Sequence, residues 1–195
     1  MNALEKYSSL LGEILFPLIG FLFFDWGFYF ILLFILFDRC AKLLFLNARL
    51  KRSSIQKTTV SQIRLVSFLL FFAECAAVHI GCTFLLPDFD ILREFSVFWT
   101  YEEMGIQQGY LLVPALFLAE WMSTKRDFNM PLYDGANTVK TQNNLSMLRS
   151  LFLLSLIGIY AMFKLEESIL ICLFLCFYFI IIWFDVALLP KNSAH

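Results

Sequence analysis

Asp38, Arg39 and Lys42 stand inside one aromatic and aliphatic run, and Glu74 stands inside another. Ionised side chains are costly away from water, so in such runs they face inward and pair, marking either a structural contact or a polar path. The spacing predicts an ion pair between Arg39 and Glu74. Lys42, one helical turn beyond Asp38 on the same face, is placed to hold that carboxylate. Glu120 and Asp185 form a second, shallower layer with Lys42, close enough to the ends of their runs to meet Lys and Arg outside them.

Cys75, His79 and Cys82 fall at i, i+4 and i+7, and Cys172 and Cys176 at i, i+4. If the two stripes adjoined, His79, Cys82, Cys172 and Cys176 could supply a Cys3His metal site, or Cys82 and Cys172 a disulfide. The ordinary reading is small thiols used for packing and an imidazole satisfied by hydrogen bonds. No metal and no cofactor is expected. His195 is terminal and carries no argument.

These side chains must be positioned by elements suited to lipid. Sixty percent of the 195 residues are apolar and 24 are Phe. That exceeds the roughly 45 to 50% of soluble domains. Six apolar stretches are read as membrane helices: Leu10–Phe24, Phe28–Leu46, Leu65–Leu86, Met104–Trp121, Leu148–Phe163 and Ser168–Leu189. The first is short for a bilayer and holds Pro17 and Gly20, so it either starts earlier, near Leu4, or runs as a re-entrant segment. The N-terminus lacks a basic leader and a small-residue cleavage signal, and reads as part of the mature chain.

The connections alternate in charge. Residues 47–64 carry Arg49, Lys51, Arg52, Lys57 and Arg64 with no acid, which the positive-inside rule places in the cytoplasm, suited to anionic lipid headgroups. Residues 87–103 are acidic against Arg93 alone, and 123–147 return to a basic lean. Asp25-Trp26-Gly27, with an interfacial Trp, and Lys164-Leu165-Glu166-Glu167 make short outer turns. The fold class expected is therefore all-α: one integral membrane domain over residues 1–195, six helices, both termini cytoplasmic, in the cell membrane. A net charge of -1 argues against nucleic acid as a partner. No repeat suggests inverted transporter halves.

Enzyme chemistry is not indicated. The segment from Tyr101 to Leu112 resembles the first motif of CAAX-type intramembrane proteases, two glutamates followed by a glycine and leucine run. Gln107 and Gln108 stand where that motif needs an arginine, and no histidine motif follows. Glu102 and Glu103 read instead as a solvated acidic collar. There is no Gly-x-Ser-x-Gly elbow and no phosphate-binding glycine loop.

Four local features, Leu22-Phe23-Phe24-Asp25-Trp26, Phe37-Asp38, Val78-His79-Ile80-Gly81 and Phe184-Asp185, occur in an order that resembles an uncharacterised family of bacterial multi-pass membrane proteins, a domain of unknown function. The resemblance implies a polytopic membrane fold and singles out Asp38, His79 and Asp185, without a reaction. Arg39 departs from it where a neutral amide is expected, and Leu86-Pro87 where a second histidine is expected. The functional expectation is a membrane-embedded protein of unknown biochemical role with a charge cluster deep in the bundle. The alternatives are a proton-linked or small-solute transporter, and an accessory or assembly subunit with a membrane-protein partner.

Overall fold

The computed structural model describes residues 15–51, 57–86, 88–103, 106–128 and 135–188, with the side chains of 57, 58, 103, 106, 127, 128, 135, 137, 138, 141 and 181–188 outside the description. The start of the first expected span at Leu10, Met104 at the start of the fourth and the end of the sixth at Leu189 lie outside the described residues, as does the Asp185 side chain. Between turns and short connections, the described elements are helices, with one two-residue ladder. It divides into two compact units, residues 1–28 with 165–195, and residues 29–164.

In the first unit, α1 (residues 15–23) ends in a turn where Asp25 adopts a φ of 50°. Phe24 and Trp26 N–H groups both donate to the Gly20 carbonyl at 3.1 Å, and the Trp26 ring lies so close over Gly20 that any Cβ there would overlap it. Trp26 is thus buried against Gly20, where an interfacial position was expected; the missing side chain makes the seat for the indole. Glu167, at the start of α8 (Glu167–Leu188), accepts the Phe28 N–H at 2.7 Å, satisfying one of the open donors of α2 (Phe28–Leu44). Phe28 meets Phe174 edge-on at 5.8 Å.

The second unit is built on two long helices, α4 (Lys57–Leu85) and α7 (Gly135–Phe163), which run parallel, Ser67 meeting Asn143 and Glu74 meeting Ser146 and Arg149, packed along much of their length. Both extend beyond the expected spans. Polar starts such as Thr58-Thr59 and Asn137-Thr138 are outside any apolar window and are weak helix formers, yet a helix already nucleated by the apolar portion extends through them at small cost per residue. Stretches within Thr59–Leu85 and Gln142–Phe163 are the two described helices long and apolar enough to cross a membrane. From Tyr29 to Leu36, α2 is buried on every face, as a helix apolar all round requires.

Two further helices fall where connections were expected. α3 (Leu46–Leu50) turns Leu46 and Leu50 onto Ile63, Ala136 and Val139, so the first part of the basic 47–64 segment is packed rather than free. α5 (Ile91–Thr100) starts at Asp90, whose Oδ1 accepts from the Leu92 and Arg93 N–H groups at 2.9 and 3.3 Å. The acidic connection is therefore partly helical, with one acid used as a cap. A short antiparallel ladder, β1 (Glu102–Glu103) with β2 (Ile106–Gln107), leads into α6 (Gln108–Phe128).

α5 and α6 touch backbone to backbone at Gly109. A Cβ there would collide with the Phe98 carbonyl oxygen and lie 2.9 Å from Trp99 Cα. We expect Gly109→Ala to lower stability by about 1 to 3 kcal/mol, since backbone cannot yield as a side chain can. The check is a thermal melt that follows Trp99 fluorescence: the loss should appear there, and an unshifted midpoint would mean that the two helices separate freely.

Candidate functional site

The side chains at the centre of the second unit are polar. Glu74 on α4 is 2% exposed. Its Oε2 accepts from the Ser146 hydroxyl, and its Oε1 lies 2.8 Å from Arg149 Nε, both on α7. Ser146 and Arg149 are three residues apart, so one face of α7 presents both to the same carboxylate. Asn143, one turn earlier, takes the Arg39 guanidinium of α2 on its Oδ1 at 2.5 Å and gives its amide to Ser67 of α4 at 3.0 Å. Ser67 passes its own proton to the Ile63 carbonyl at 2.8 Å. Arg39, Glu74, Asn143, Ser67, Ser146 and Arg149 are all buried. They form a seam joining α2, α4 and α7.

The ion pair expected between Arg39 and Glu74 is replaced by two contacts, Arg39 with Asn143 and Glu74 with Arg149. The reason is the long α7: its polar first half brings an amide and a guanidinium alongside α4, and Arg149 engages Glu74 at close range. Arg39 still feels Glu74 electrostatically, together with Asp38, Arg149 and Arg49. Asp38 and Lys42 meet as an i, i+4 pair at 2.7 Å, half-buried at the edge of the seam.

A second buried contact ties α3 to α6. Arg49 Nη2 donates to Glu120 Oε1, and the Thr124 hydroxyl lies 3.4 Å from the same oxygen. Glu120 thus meets a basic residue from beyond its own run, and it does so inside the protein: Arg49 and Glu120 are both buried. Lys42 pairs with Asp38, and the Asp185 side chain lies outside the described residues.

His79 is held on both ring nitrogens. Nδ1 donates to the Cys75 carbonyl at 2.7 Å, and Nε2 shares a hydrogen bond with the Tyr29 hydroxyl at 3.2 Å, with the two rings edge-on at 5.8 Å. Neither nitrogen is left directed at a metal. Cys82 is buried, Cys172 and Cys176 are exposed on α8, and all five cysteines are free thiols. Among the described residues no three His, Cys, Asp or Glu side chains gather as a metal site would require. Cys82 and Cys172 are each free thiols and belong to separate units.

No family model, curated protein or solved structure matches the chain. Functional meaning must therefore come from the seam itself.

Sequence reasoning missed Arg149, Asn143, Ser67 and Ser146. Arg149 sits one residue inside an expected span and reads as a cytoplasmic charge, while neutral amides and hydroxyls raise no flag. A signal was present. Asn143, Ser146 and Ser150 recur at i, i+3 and i+7, a polar stripe that continues into the apolar half of α7.

Chemically, the seam gathers two guanidiniums, one carboxylate, an amide and two hydroxyls. Glu74 has partners on both oxygens, which fixes the orientation of its carboxylate.

Proposed function

We propose that the chain is a multi-pass membrane protein of six spans, with both termini cytoplasmic, whose polar seam locks its helices together, and that it serves as an accessory or assembly subunit. One observation carries the membrane reading. Around a buried Glu, Arg, Asn and Ser network, the outer faces of α4 and α7 expose large apolar side chains, among them Leu65, Phe68, Phe72, Phe84, Leu151 and Met162. A protein in water sorts these the other way round, with apolar side chains inside and contiguous apolar patches small. In lipid, buried polar groups that bond between helices are the expected glue.

The accessory role is supported by the saturation of Glu74 and Glu120, each contacted by an arginine and a hydroxyl. A second reading, passage of a small polar solute, is favoured by the continuous Ser67, Asn143 and Arg39 chain. Solute uptake into vesicles containing only this chain separates the two.

The membrane reading makes a direct prediction. The chain should stay in the membrane pellet after alkaline carbonate washing. In a cysteine-free background, Lys51→Cys should react with an impermeant maleimide only from the cytoplasmic side and Asp88→Cys only from the outside; both positions are exposed. Release by carbonate would remove the membrane reading, and labelling of both from one side would remove the topology.

A further inference from the structure

Arg39 is 2% exposed, yet its Nε–H has no hydrogen-bond partner among the described residues. The acceptors that surround it are already engaged. Glu74 holds Ser146 and Arg149, Asp38 holds Lys42, and the Ser67 oxygen takes the Asn143 amide while donating to Ile63. The guanidinium itself donates to a neutral amide oxygen, so the charge on Arg39 has no carboxylate in direct contact. Among the described residues, the fully buried ionisable groups are Arg39, Arg49, Arg149, Glu74 and Glu120, three cations against two anions.

A buried guanidinium is permanently charged and calls for an acceptor-only partner. The Asn143 amide has a second N–H besides the one given to Ser67. Arg39 and Asn143 already meet through Nη2 and Oδ1, so the Arg39 Nε–H and that amide N–H belong to side chains in direct contact. We infer that Arg39 and Asn143 form a binding site for a small monovalent inorganic anion of the halide class. Closure of the seam around Arg39 selects a single compact ion over a phosphate or a lipid headgroup, whose oxygens carry more water and need more room. Burial around Arg39 is made by the chain's own helices, so the site does not depend on the membrane reading.

The test uses the full chain purified in mild detergent, with gluconate as the counter-anion at constant ionic strength. Chloride and then bromide replace gluconate while the melting midpoint and the chlorine NMR linewidth are followed. Wild type should show a saturable rise in midpoint of about 5 °C at a hundredfold excess over Kd, with matching line broadening. Arg39→Gln should abolish both. Since that variant risks misfolding, Asn143→Asp provides the second arm: a carboxylate beside Arg39 replaces the anion, so this variant should melt in gluconate near the wild-type value in chloride, and should ignore chloride. Arg93→Gln, at an exposed position on α5, should titrate as wild type does. The inference is overturned if wild type is indifferent to chloride and bromide, if Asn143→Asp titrates unchanged, or if only inorganic phosphate or anionic lipid produces the effect.

Discussion

Replacing Glu74 by alanine is expected to cost about 3 to 5 kcal/mol, because it leaves the Arg149 guanidinium buried without its counter-charge. The loss is larger than the net worth of the pair. An ion pair inside a protein roughly balances the desolvation of its members, whereas half a pair keeps the desolvation and forfeits the attraction. The same logic gives the control. Glu74→Leu combined with Arg149→Met removes both charges, keeps the volume, and should recover most of the stability lost by either single change. Glu74→Gln should fall between, since its single amide oxygen can keep one of the two contacts, with Ser146 or with Arg149, while the charge is lost. A double-mutant cycle on the melting midpoint measures this. Additive single effects would mean that Glu74 and Arg149 do not act on each other.

Loss of Arg49 should have an effect of similar size and a different reach. Arg49→Ala removes the guanidinium that meets Glu120 in a buried position, again a cost of about 3 to 5 kcal/mol. α3 has five residues and cannot persist by its own hydrogen bonds. Its anchors are the contact of Arg49 with Glu120 and the apolar cluster of Leu46 and Leu50 with Ile63, Ala136 and Val139. Local opening should therefore rise first. Amide exchange at Arg49 and Leu50 should accelerate by roughly a hundredfold or more, the equivalent of about 3 kcal/mol, while the centres of α4 and α7 keep their protection. Equal acceleration in all three would show that α3 is no separate unit of stability.

What was legible in the sequence follows from which signals are local. Helices over the apolar stretches at 28–46, 65–86 and 148–163 rest on composition alone, and each stretch is occupied by a described helix, two of which begin well before it. The Asp38 and Lys42 pair rests on one helical turn and could be read directly. The partner of Glu74 could not, because it depends on which helix lies against α4. Depth along the spans ranks Arg39 as a partner; it cannot place the first turns of α7, whose polar residues look like a loop until the helix is seen to run back from Leu148 to Gly135. α3 and α5 were hidden for the same reason. Both are short, lie in charged connections, and owe their existence to packing rather than to pattern.

The seam also imposes an order on synthesis. Ser146 follows Glu74 by 72 residues, and Arg149 follows it by a little more. At roughly 5 to 20 residues per second, Glu74 waits on the order of 4 to 15 s before either partner exists. During that interval the cations already made are those of earlier segments, Arg39 among them. Any counter-charge for Glu74 in the growing chain must come from those earlier cations, whereas in the finished protein its partners are both on α7. A ribosome that stalls before Asn143 would leave α4 holding a carboxylate with no lasting partner, a chain marked for removal by the charge at its own centre.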